Sequence, residues 1–279
     1  MNCYGTLTAL KAQYLTEISG AGSDSILLDL LEAASRRIDI IAGRHFYVVS
    51  AARILDVWHS PLLFPAPHPD LLSVSAIGVD NDEDELFDDE TWSESDYVLY
   101  SGNGAIDGFP KLWLHVAPGG DYSLPRGMRV MQITGQWGYG DGRRADPVDS
   151  VGTLGAAITT TTATTATMTA GHTVLAGQTI RVGSEQMFVS AVSTNTLTVE
   201  RGVNGTTAAE HLINAAVVAY AYPAPVVRAC LWLAKEEYRD MSRDGGYESE
   251  RLGDYSYKRM ASAESEARTR NLLAGYCTA

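Results

Sequence analysis

Basic charge is missing where this chain is most polar. Residues 80–96 hold ten acids and no Lys or Arg, and this run dominates a net charge of −13. A protein that wraps nucleic acid needs a basic stripe, so the composition speaks against that class. Cysteine is scarce too. Cys3, Cys230 and Cys277 are far apart and odd in number, which argues against a disulfide framework or a zinc knuckle and fits a reducing compartment. No run of about 18 uncharged apolar residues occurs, so no membrane span is expected. The start, MNCYGTLTALKAQYL, lacks a basic stretch followed by an apolar core and does not read as a signal peptide.

The familiar chemical motifs are also missing. His45, His59, His68, His115, His172 and His211 fall into no HExxH or CxxC…HxxxH spacing, so no metal centre is expected. There is no GxSxG elbow, and no Cys–His pairing can be argued. Gly135-Gln-Trp-Gly138-Tyr-Gly140 is glycine-rich, but a turn and a proline follow it rather than a helix. It reads as a strand ending in a turn, not as a phosphate loop or dinucleotide fingerprint. Arg143-Arg144 is an isolated basic pair in a turn. The expectation is no catalytic, cofactor or metal residue, and a protein that assembles rather than turns over a substrate.

What is present is charge in one place and two kinds of periodicity. Residues 1–150 carry 22 acids and 10 bases, 151–222 carry 3 and 2, and 223–279 carry 9 of each. Thr6 is placed to cap a short helix from Leu7. Ser23 or Asp24 caps a longer one, with Ile26, Leu27, Leu30, Leu31, Ala34, Ile38 and Ile41 at helical spacing and Gly43 as its stop. After Pro223 and Pro225, Val226, Val227, Cys230, Leu231, Ala234, Tyr238 and Met241 predict another helix, ended by Gly245-Gly246. Short runs at 46–57, 71–79, 97–100, 111–116 and 128–137 read as strands. Residues 151–222 read as an inserted β module, with strands at 156–169, 178–182, 186–192, 196–200 and 217–220. The last 30 residues are polar with weak periodicity and read as a partly helical tail that orders on binding.

The acidic run DNDEDELFDDE invites a calcium reading. Asp80, Asp82 and Asp84 match the first, third and fifth positions of an EF-hand loop. The glycine position holds Glu85, however, and the closing glutamate position holds Thr91, so that reading fails. A looser divalent site, a solvated loop and a loop that repels nucleic acid inside an assembly stay open.

Several segments occur in a telling order. They are the SDSILLDLLEAASRRIDIIAGRHFY helix, DLLSVSAIGVD, DYVLY, VMQITGQWGY, a helix after Pro223, and SERLGDYSY at 249–257. This order resembles the head-tail connector (adaptor) proteins of tailed bacteriophages, over residues 1–150 and 223–260. GQTIRVGSEQM and LTVERGVNGTT within 177–207 resemble a small β domain recurring in phage structural proteins. Family members often lack such an insert.

The resemblance implies an α+β fold: a helical connector core with a small β-sheet part from residues 1–150 and 223–279, plus an inserted all-β domain at 151–222. It also implies a homo-oligomeric ring, typically dodecameric, in the virion neck and made in the host cytoplasm. DNA passes through its bore without sequence preference. The C-terminal segment reaches the portal protein, and the opposite face meets a stopper or tail-completion protein. The portal-binding positions it implies are Tyr247, Gly253, Asp254, Tyr255, Ser256 and Tyr257.

Within the ring that the resemblance implies, Asp82, Glu83, Asp84, Glu85, Asp88 and Asp89 are expected to line the DNA bore, where they would keep DNA from sticking, the alternative being an exterior loop that aids solubility; Leu86, Phe87 and Trp92 are expected to anchor their loop. The insert is expected to be separable, so that a short linker replacing 152–221 leaves the parent folded. Competing readings are a virion-attached carbohydrate-binding protein that uses the β module, and a hydrolase whose site leaves no sequence motif.

Overall fold

The structure is a computed structural model that describes residues 1–57, 63–65, 70–101, 108–241, 249–252, 255–258 and 262–277. Four helices form one layer. α1 (Leu7–Gln13) begins where the Thr6 hydroxyl accepts the Ala9 N–H at 3.2 Å. α2 (Asp24–Ala42) turns Leu27, Leu31, Ala34 and Ile38 inward and ends at left-handed Gly43, φ 67°. Ile26, expected in the core, is 44% exposed. α3 (Ala224–Met241) buries Val226, Cys230, Leu231 and Ala234 against α2, while Met241 stays exposed. α4 (Ser262–Leu273) closes the layer with Leu273 fully buried. Tyr4 ties the layer to the strands: its hydroxyl donates to Asp39 Oδ1 (2.5 Å) and accepts the Phe46 N–H (2.8 Å). Burial pushes the Asp39 carboxyl up to about 6, against the pull of Arg36 and Tyr4.

The strands that follow are β1 (Val49–Val57), β2 (Leu63–Pro65), β3 (Leu71–Val79), β4 (Glu90–Trp92), β5 (Tyr97–Tyr100), β6 (Trp113–Val116) and β7 (Gly127–Trp137). They make an antiparallel sheet in the order β1-β7-β3-β4 and a second one in the order β2-β6-β5. Leu55, Ile77, Met131, Ile133 and Trp137 of the first sheet share one apolar cluster with Leu114 and Val116 of the second. Gly135 lets β3 and β7 close up, because a Cβ there would lie 2.1 Å from the Ser73 carbonyl oxygen.

The third body is a small barrel. β8 (Val148–Thr153), β9 (Thr165–Thr167), β10 (Thr179–Val182), β11 (Glu185–Ser193), β12 (Thr196–Glu200) and β13 (Ala216–Tyr220) pair in the order β8-β13-β10-β11-β12-β9. A bridge between Leu154 and Met168, with Thr169 N–H donating to the Thr153 carbonyl (2.9 Å), brings β9 back to the end of β8. Closure leaves no long free edge for another strand to join. Val151, Ile180, Val182, Met187, Leu197 and Val217 fill the interior.

The expected helical core with a small β-sheet part is therefore wrong. The chain is mostly β, with fifteen strands and four helices among the described residues. Helical periodicity shows within one segment, whereas strands such as β1 and β7 find each other across some 80 intervening positions, Val49 facing Trp137. Counting short runs does not reveal how many will pair. The Thr/Ala tract at 156–169 also departs from expectation, since only Thr165–Thr167 is a strand. Thr hydroxyls compete for backbone partners, and few side chains there are large enough to hold a pleated face.

The tail differs as well. β14 (Ser249–Leu252) and β15 (Tyr255–Lys258) form a ribbon, and residues beyond it dock on the helices. Tyr276 packs edge-on against Phe46 and Tyr139, with ring centroids 6.1 and 5.6 Å away.

The barrel is rooted in the helical layer. Val148 faces Tyr220, so its two ends are adjacent. Yet Leu7 N–H donates to the Ala176 carbonyl (3.0 Å), and Thr179 and Asn204 both donate to Asn2 Oδ1 (3.0 and 2.9 Å). Phe188, Ala176 and Val203 belong to the helical cluster. Excising 152–221 would open that cluster, which speaks against the expected separability.

Candidate functional site

The acidic loop joins β3 to β4, and its own amides hold it. Asp80, buried at 5% exposure, accepts the N–H of Glu83 at Oδ1 (2.7 Å) and of Glu85 at Oδ2 (2.8 Å). Asp89 Oδ2 accepts from Asn81 and Asp82 (2.6 and 3.1 Å), and Asp84 Oδ1 from Leu86 (2.9 Å). These bonds explain why an acid-only loop has a shape at all: carboxylates satisfy amides that no strand pairs. Glu83, Glu85 and Phe87 adopt positive φ of 66°, 65° and 54°.

Phe87 is buried beneath the loop. Gly78 leaves room for it, since a Cβ there would lie 2.2 Å from the Phe87 carbonyl oxygen. Trp92 is buried and stacks on Tyr122 at 5.6 Å. Leu86, expected to be a third anchor, is 66% exposed at the crest between two left-handed residues.

All six expected bore residues, Asp82, Glu83, Asp84, Glu85, Asp88 and Asp89, lie exposed on this loop. Partial desolvation, then Asp84 and Asp89, hold the Asp82 carboxyl above its usual range. Arg129 reaches Glu85 at 3.5 Å. Asp80, Asp82 and Asp89 can bring one carboxylate oxygen each within 4.8 Å of one another, though both Asp80 oxygens already accept backbone N–H groups.

The expected portal-binding positions fall on the C-terminal ribbon. Tyr255, Ser256 and Tyr257 lie in β15, paired with Leu252, Arg251 and Glu250. Tyr247, Gly253 and Asp254 lie outside the described residues. Among the described residues the ribbon joins none of the other sheets.

Sequence reasoning missed a buried ionic clamp in the barrel. Glu185 is fully buried and takes five hydrogen bonds: Arg201 Nε (2.6 Å) and Nη2 (2.8 Å), Gly202 N–H (3.1 Å), Ala209 N–H (3.0 Å) and His211 Nε2 (2.7 Å). Burial works to raise its pKa, but Arg201, the Ala209 amide and His211 outweigh it and hold it at about 2. The clamp closes the long 201–211 connection onto β11. The available signal was composition, since 151–222 has only 3 acids and 2 bases, and two of those five are this pair.

No known family model matches the chain, and no curated protein resembles it in sequence. No helix among the described residues is long and apolar enough to cross a membrane.

Proposed function

We propose that this chain is a head-to-tail adaptor of a tailed-phage virion, a ring below the portal through which DNA passes. The observation that carries the reading is the β14–β15 ribbon, which among the described residues pairs with no other sheet. An isolated two-stranded hairpin is marginally stable in water, so a ribbon that joins no other sheet among the described residues calls for a further surface to rest on. It coincides with the LGDYSY segment that resembles the connector family, and Tyr255 and Tyr257 are of the residue type that dominates interfaces.

A ring also joins two different patches of one chain. Leu212 and Ile213 stand side by side on a barrel turn at 80% and 55% exposure, and an apolar groove of about 760 Å³ lies between α1 and the barrel. That pairing suits a head-to-tail contact between copies.

The test is portal attachment. The double variant Tyr255→Ala/Tyr257→Ala spares α4 and the buried Leu273, so its body should melt as the wild type does. Its co-purification with portal should fall by at least about tenfold. Undiminished capture of portal would overturn the assignment of the ribbon.

In the same reading the acidic loop lines the bore, where carboxylates deny phosphates the Lys and Arg contacts that bind them. Changing Asp82, Glu83, Asp84, Glu85, Asp88 and Asp89 to Asn or Gln retains the side-chain acceptors and leaves Asp80 untouched. Such virions should assemble normally and eject DNA more slowly. Normal ejection kinetics would remove the loop from the bore.

A further inference from the structure

The groove between α1 and the barrel, about 760 Å³, is walled by Leu7, Ala12 and Ile18 on one side and by Val174, Leu175 and Val192 on the other. Its charged side chains are Lys11 and Asp24, and they bond each other, while the Lys11 ammonium also donates to the Gly20 carbonyl (2.7 Å). An apolar occupant would therefore strand no charge, whereas a charged one would have to displace that pair.

Single exposed apolar side chains are ordinary on protein surfaces. Leu212 and Ile213 are not single. At 80% and 55% exposure they are the only two large exposed apolar residues adjacent in the chain among the described residues. Their turn is also held from both sides. His211 exchanges both backbone bonds with Ile158 (2.8 and 2.9 Å) and sets its Nε2 2.7 Å from Glu185. The Asn214 and Ala215 N–H groups donate to the Leu154 and Leu212 carbonyls (2.9 and 3.2 Å). A knob whose backbone is fixed before contact loses little freedom on docking. The Glu185 clamp thus also positions this knob.

The two features sit at opposite ends of one strand. His211 ties the knob to Glu185, the first residue of β11, while Ser190, Ala191 and Val192 near its far end wall the groove. From Glu185 to Ala191 the strand runs about 20 Å. A copy therefore cannot fill its own groove. A body with an apolar knob at one end and an apolar groove at the other suits a head-to-tail contact, in which every copy gives one surface and takes one.

We infer that Leu212 and Ile213 of one copy seat in the α1–barrel groove of the next, and that this contact joins neighbouring subunits. The inference rests on the ring reading and names the two surfaces that meet in it.

The test uses the full chain without portal. Sedimentation velocity up to the highest soluble concentration should show wild-type species larger than a dimer. Leu212→Asp/Ile213→Asp spoils only the knob, and Ala12→Glu spoils only the groove. All three positions are exposed, so both variants should melt as the wild type does. Each variant alone should be monomeric, its self-association weakened by at least about tenfold. Mixed together, they should form a one-to-one dimer and go no further, because one intact groove and one intact knob meet once. Four outcomes overturn the contact: the wild type stays monomeric, it stops at a dimer, either variant associates as the wild type does, or the mixture stays monomeric. Portal capture is measured separately through Tyr255→Ala/Tyr257→Ala, so failure of this contact and failure of the adaptor reading are told apart.

Discussion

Replacing Glu185 with Ala will cost the protein about 3–5 kcal/mol in urea unfolding, because it strands a buried guanidinium. Arg201 is 6% exposed at its side chain and has both its Nε and Nη2 on that carboxylate. The substitution also releases the Gly202 and Ala209 amides and His211, the groups that hold the 201–211 connection to β11. Glu185→Gln keeps the shape and one acceptor and should lose less.

The same residue sets an acid limb. The Glu185 carboxyl lies at about 2 in the folded protein against its usual 4.5. The folded state therefore binds this proton more weakly than the unfolded one. Its contribution is complete above 4.5 and is lost as pH falls toward 2. Urea midpoints measured from pH 7 down to 2 should fall less steeply for Glu185→Gln than for the wild type. A loss below about 1 kcal/mol in the Ala variant would show that the clamp behaves like an exposed ion pair.

Phe188→Ala should be the most damaging single apolar truncation at the barrel's root, costing about 3–5 kcal/mol. Phe188 is 1% exposed on β11, between Thr179 of β10 and Glu200 of β12, yet its ring belongs to the apolar cluster of α1, α2 and α3. A side chain shared between two bodies couples their unfolding. Hydrogen exchange should show lost protection in α2 amides as well as in β10 and β11. Weakened protection confined to the barrel would mean that the two bodies unfold independently. It would also restore the case for excising 152–221.

How much of this was legible in advance follows the range of the interactions. The first three helices were readable because their signals are local, whereas α4 lay in a tail whose periodicity is weak. Thr6 caps within three residues, and Leu27, Leu31, Ala34 and Ile38 recur on one face before Gly43 ends it. The acidic loop was readable as a charged segment, and so was the place of the LGDYSY segment beyond α3.

What only the tertiary structure decided rests on pairs far apart in the chain, whose meeting no window of sequence encodes. Leu154 meets Met168 to close the barrel, Val49 faces Trp137, and Phe188 leaves its own barrel for the helical core. The amino-acid sequence determined where α1, α2 and α3 form and where charge collects. Long-range pairing, paid in loop-closure entropy and repaid by burial, determined that the protein is mostly β and that its barrel is rooted in the helical layer.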